Sequence, residues 1–175
     1  MAIYSYSFGQ SNKNSLRFDG KDDYVGFKQD TQFNVASKSF SVQLSFKVRN
    51  VDGLISGKYA NILVVKGSSG VIDQRGYAFE VRDESGKHIV HARIGANKIL
   101  KWVTSKTEIV NDRWYNLAVV IDRKAGYMRL YLDGEIEDSV SISNIGNMDN
   151  TWPFMIGRFY WPSTKASSSY FDGTI

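Results

Sequence analysis

Hydrophobic side chains recur at every second position over most of this chain, and that period of two constrains its fold more than any other feature. Phe40, Val42, Leu44, Phe46 and Val48 alternate with Ser41, Gln43, Ser45, Lys47 and Arg49. Successive side chains of a strand point to opposite sides, so this pattern gives one face to a core and the other to water. The same alternation runs through Tyr77, Phe79 and Val81, through Val90, Ala92 and Ile94, and through Tyr115, Leu117, Val119 and Ile121. Met128, Leu130 and Leu132 form a further row, and a weaker one ends at Val140 and Ile142. No window holds a sustained i, i+3, i+4, i+7 stripe, so no long helix is expected.

Turn residues fall between these rows. Asp133-Gly134 separates YMRLYL from EIEDSV and predicts a two-residue hairpin turn, because both residues tolerate positive φ. Ser85-Gly86 and Ala125-Gly126 divide neighbouring rows in the same way. Strands joined every ten or so residues by such turns describe an all-β antiparallel sandwich. The chain has only two prolines, which suits sheet interiors that proline would interrupt. Arg17-Phe18-Asp19-Gly20 is echoed by Tyr170-Phe171-Asp172-Gly173, so the first and last strands are expected to be neighbours.

At 175 residues the chain is long enough for one domain with a sizeable core. Residues 1–14 read as an N-terminal extended segment and 15–175 as a single sandwich. Lys and Arg number 22 against 18 Asp and Glu, but no run of four basic residues occurs, so a nucleic-acid partner is not expected. The absence of cysteine excludes a disulfide scaffold, a thiol nucleophile and a Cys-based metal site. The longest apolar runs fall far short of the roughly 18 residues a membrane span requires. Met1 to Phe8 lacks the basic and apolar regions of a secretory signal, and its Tyr4, Tyr6 and Phe8 share one side of an extended strand. That face is an expected surface for a homo-oligomer or assembly partner, as is any open sheet edge.

In order along the chain, SLRFDGKDDYVGF (15–27), FSVQLSFKV (40–48), ILVVKG (62–67), GYAFEV (76–81), DRWYNLAVVID (112–122), GYMRLYLDGEI (126–136), FMIGR (154–158) and FDGTI (171–175) resemble concanavalin A-like, laminin-G-type jelly-roll domains. The resemblance implies a two-sheet jelly roll and a lectin-like binding module for glycan or a protein surface, outside the cell or on a virion. In that family FDGTI leads into a further strand, so the sequence given is expected to stop one strand short. Some members hold a structural calcium near this end. Asp19 and Asp172 are the matching candidates, but calcium wants six to eight oxygens, and a turn-forming role for both Asp-Gly pairs is the reading adopted. No cofactor is otherwise expected.

The fold the resemblance implies also houses glycoside hydrolases, which need two carboxylates about 5–9.5 Å apart. Glu135 and Glu137 share one face of a strand by period two, but Ser139 and Val140 stand where a third carboxylate would fall. A solvent-facing strand start is the reading adopted for them. His88 and His91 lie on opposite faces and do not share a metal easily. No Gly-x-Ser-x-Gly elbow or phosphate cradle occurs, so no enzyme is expected. Sugar sites stack aromatic faces against a pyranose and orient its hydroxyls with polar side chains. The binding candidates are therefore Arg158, Tyr160 and Trp161 in RFYWP, Trp102 in KILKWV, and Tyr59, with the polar stretch Asp73 to Arg75 nearby in sequence. Trp114, at the start of a core strand, is expected to be packed, and Trp152 to be an edge or core residue. The alternative function is a virion structural protein, a decoration, fibre or tail component, using the same fold for assembly or phage attachment.

Overall fold

The computed structural model describes residues 14–27, 31–51, 61–67, 75–159 and 170–175. Residues 1–13, Tyr59, Asp73, Gln74, Tyr160 and Trp161 lie outside them. The described strands are β1 (Arg17–Asp19), β2 (Val25–Phe27), β3 (Phe40–Val48), β4 (Asn61–Gly67), β5 (Gly76–Glu84), β6 (Lys87–Ala96), β7 (Ile99–Thr104), β8 (Trp114–Asp122), β9 (Tyr127–Leu132), β10 (Glu135–Ser141), β11 (Phe154–Ile156) and β12 (Asp172–Thr174). Sheet I has the order β1-β12-β3-β8-β9-β10 and sheet II the order β2-β11-β4-β5-β6-β7, every pairing antiparallel. The only helical turn among the described residues is a 3-10 turn, Thr31–Phe33. None of their helices is long and apolar enough to cross a membrane.

The alternating rows meet between the sheets. Phe46, Val48, Tyr115, Leu117, Val119, Ile121, Met128, Leu130 and Leu132 face in from sheet I. Tyr77, Phe79, Val81, Val90, Ala92, Ile94 and Val103 face in from sheet II. Rings stack within the core: Phe33 on Phe154 at 4.1 Å, and Phe46 on its strand partner Tyr115 at 5.5 Å. The Tyr115 hydroxyl, buried with its ring, accepts from the Val110 amide at 2.9 Å and donates to the Glu108 carbonyl. Burial pushes the Tyr77 phenol up to about 12.

The echo between the two ends is realised as a strand pair. β1 and β12 are antiparallel, with Phe18 opposite Gly173 and Asp19 opposite Asp172. Asp133-Gly134 and Ser85-Gly86 make the expected hairpin turns, both residues of each at positive φ. Asn97-Lys98 makes a third turn of this kind, φ 52° and 66°, where no glycine marked it in the sequence. The β4 and β5 rows differ from a wet-and-dry alternation. Asn61 to Gly67 and Gly76 to Val81 are buried on both faces, with a second apolar cluster of Ile62, Val65, Ala78, Met155 and Phe159 on the outer side of sheet II. Lys66, 1% exposed, donates from Nζ to the carbonyl oxygens of Trp152 at 2.6 Å and Asn150 at 3.1 Å. It thereby ties β4 to the chain entering β11.

Candidate functional site

The outer face of sheet II carries the densest set of chemically capable side chains among the described residues. Phe79 and Val81 point into the core, so Glu80 between them points outward from β5. The register sets Glu80 opposite His91, His91 opposite Thr104, and Arg93 opposite Trp102. Directly opposed side chains on an antiparallel pair lie within about 5.5 Å at Cβ, so these residues form one contiguous patch. His91 Nδ1 is 3.3 Å from Glu80 Oε1, and an Arg93 guanidinium nitrogen is 3.7 Å from Glu80 Oε2. The Trp102 ring lies 6.5 Å from the His91 ring and is 52% exposed.

Glu80 is only 5% exposed. Burial alone would raise its carboxyl, but the His91 imidazole 3.3 Å away and the charges of Arg93 and Arg82 outweigh it. The carboxyl is therefore held below the usual range. The two Glu80 carboxylate oxygens face His91 and Arg93. The carboxylate lies beside the Arg93 guanidinium, which faces the exposed Trp102 across the β6–β7 pair.

The expected site residues do not gather at one place. Trp102 belongs to β7 at one edge of sheet II. Arg158 follows β11 near the other edge, about 19 Å away across four strand spacings. There its guanidinium carbon lies 4.7 Å from the Tyr24 ring centre and 5.1 Å from that of Tyr170. Such contacts hold the arginine in place by cation–π attraction. Tyr59, Tyr160 and Trp161 fall outside the described residues.

Two expectations are corrected. Trp114 is not packed: it is 47% exposed on the outer face of sheet I. Tyr115 points into the core, so its strand neighbour must point out. The alternation of Tyr115 and Leu117 already carried that signal. Glu135 and Glu137 do not form a solvent-facing pair. A bulge between Ile136 and Asp138 breaks the period of two, and Glu137 is buried. Its carboxylate accepts from the Lys106 amide at 2.7 Å, the Thr107 amide at 3.0 Å and the Thr107 hydroxyl at 2.7 Å. Burial pushes its carboxyl up, but these bonds and the Lys106 charge pull it below the usual range. Glu137 pins the segment after β7 to the edge of sheet I.

Asp19 and Asp172 are register partners, yet their carboxylates go different ways. Asp19 Oδ1 accepts from the Lys21 and Asp22 amides at 2.8 and 3.3 Å, and its carboxylate clusters with those of Asp22 and Asp23. Asp172 Oδ1 instead meets the Arg49 guanidinium at 2.6 Å, and the same Arg49 nitrogen donates to the Asp19 carbonyl. The pair therefore does not fit a shared calcium, because a protein cation already bridges the two strands.

A profile described as the concanavalin A-like lectin/glucanases superfamily matches residues 19–175. The chain belongs to that superfamily. Solved structures with this jelly roll include mouse laminin α1 domains LG4-5, at TM-score 0.65 and 14% identity, covering 91% of this chain and 39% of that one. The Ruminococcus gnavus sialidase CBM40 bound to α2,3-sialyllactose matches at TM-score 0.60 and 15% identity, over 93% and 88%. A putative carbohydrate-binding protein from Bacteroides ovatus matches at TM-score 0.61 and 19% identity, over 90% and 40%. The chain spans under two fifths of the laminin structure's length, and about a third of the binding domain of Paraclostridial Mosquitocidal Protein 1. None of the curated proteins matches the sequence.

Proposed function

We propose that this jelly roll is a non-catalytic, extracellular glycan-binding module whose ligand lies on the outer face of sheet II. The observation that carries the reading is the Arg93–Trp102 cross-strand pair, an open indole beside a guanidinium anchored by buried Glu80. An indole face suits the apolar side of a pyranose, and a held guanidinium suits a sugar hydroxyl or carboxylate. Relatives in fold described as binding sialyllactose or as putative carbohydrate-binding proteins support the reading. A glycan array followed by calorimetry tests it. Trp102→Ala and Arg93→Ala are expected to weaken the best ligand by roughly tenfold or more, about 1.4 kcal/mol. Unchanged affinity in both folded variants would remove the site from sheet II. The virion-assembly alternative rests on residues 1–8, outside the described residues, and a defined oligomer lost on deleting them would favour it.

A further inference from the structure

We propose that buried Glu80 is a specificity-determining residue, one that restricts the outer face of sheet II to neutral sugars and turns away those carrying a carboxylate. The proposal rests on the glycan reading above and names the charge class of its ligand.

Alternation puts Glu80, Arg82 and Glu84 of β5 on that face, together with His91 and Arg93 of β6. Each of the two arginines stands beside a carboxylate. An Arg93 guanidinium nitrogen is 3.7 Å from Glu80 Oε2, and Arg82 Nε is 3.8 Å from Glu84 Oε2. A further carboxylate borders the Trp102 strand, where Asp138 Oδ2 accepts from the Thr104 amide at 3.0 Å. The cation nearest the exposed indole is therefore already matched by a protein anion.

Burial decides which ligand that pair admits. The Arg93 side chain is 19% exposed and Glu80 is buried, so their charges act through little water and are weakly screened. Glu80 stays ionised through the neutral range, its carboxyl being held low. A carboxylate arriving over Trp102 to meet Arg93 also meets the Glu80 charge beside the same guanidinium. It gains little net attraction for the water it loses. A sugar hydroxyl carries no such penalty: it accepts from a guanidinium N–H while its ring covers the indole. Thr104, opposite His91, adds a hydroxyl to the same face.

Matched sugars test the assignment: galactotriose, mannotriose and cellotriose, each against its triuronate, in which every C6 is a carboxylate. Binding is followed by the Trp102 indole N–H resonance, identified by its loss in Trp102→Ala. The pH is 8, above the range in which histidines ordinarily change charge. Sugars are raised to about 50 mM so that a millimolar site saturates. In the wild type at least one neutral sugar is expected to move the resonance saturably and to bind about tenfold or more tighter than its triuronate. Glu80→Gln, nearly the same in shape, is expected to shift that ratio about tenfold towards the triuronate. Looser packing alone would weaken both members alike and leave the ratio in place. A triuronate bound as tightly as its neutral partner by the wild type overturns the proposal, and that comparison decides the case if Glu80→Gln does not fold. An unchanged ratio in folded Glu80→Gln overturns it too. In both events the glycan reading stands, whereas a Trp102 resonance unmoved by every sugar overturns that reading and this proposal together.

Discussion

Glu137 offers a test of how a bulged edge strand is locked to the opposite sheet. It is 7% exposed and its carboxylate accepts three hydrogen bonds, two from backbone amides of Lys106 and Thr107 and one from the Thr107 hydroxyl. Hydrogen bonds to a charged acceptor contribute about 1.5–3 kcal/mol each, and orphaned buried donors add desolvation cost. Glu137→Ala removes all three hydrogen bonds and should cost about 3–4 kcal/mol, less than the plain sum because the hydroxyl can turn to another partner. In Glu137→Gln the amide oxygen can take both backbone N–H groups while the Thr107 hydroxyl rotates to accept from the new NH₂. Only the charge is lost, costing about 1–2 kcal/mol. The folded carboxyl lies below its ordinary value of 4.5. Its stabilisation is therefore present above that value and disappears as pH falls through the lower, folded one. Urea unfolding followed by tryptophan fluorescence should show the Glu137→Gln deficit at about pH 7, and the gap to wild type should close towards about pH 3. Glu80 also titrates low, but it is common to both proteins and cancels in the difference. A deficit of the same size at both pH values, or no deficit in Glu137→Ala, would refute the reasoning.

Two further outcomes follow from backbone and ion geometry. Gly157 and Gly134 both sit at positive φ, 79° and 88°, but a Cβ on Gly157 would lie 2.5 Å from the Phe18 ring whereas one on Gly134 meets nothing within 4 Å. Gly134→Ala should therefore cost about 1 kcal/mol of left-handed strain and Gly157→Ala about 3 kcal/mol or more, measured by the same urea titration. Equal costs would mean the Phe18 contact does not matter. Because Arg49 already bridges Asp19 and Asp172, chelation with EDTA should leave the melting temperature unchanged, by differential scanning calorimetry. A fall restored by calcium would place an ion at the Asp19–Asp22–Asp23 turn.

Two exposed tryptophans stand one step out of phase with a core row. Trp114 adjoins inward-facing Tyr115, and Trp102 adjoins inward-facing Val103. A large ring on the outer face of a sheet is positioned by a rigid element rather than by a loop.

Periodicity and turn chemistry by themselves determined the central strands, their inward rows and two of the hairpin turns, and the Phe-Asp-Gly echo anticipated the pairing of the two ends. Those properties are local: a period of two is written into each segment, and the Asp133-Gly134 and Ser85-Gly86 pairs tolerate the positive φ that a two-residue hairpin turn needs. The motifs in order also carried the superfamily. Only the tertiary structure decided what required distant segments to meet. The bulge at Ile136 to Asp138 buried Glu137 against residues thirty positions earlier in the chain. The β4–β5–β6–β7 register brought Glu80, His91, Arg93 and Trp102 into one patch, although no short motif joins them. Arg49 claimed Asp172, which the family resemblance had offered to calcium. Alternation says that a strand has two faces. Which of them is dry, and which charges meet across it, depends on what packs against it, and in an antiparallel sandwich those partners come from far along the chain.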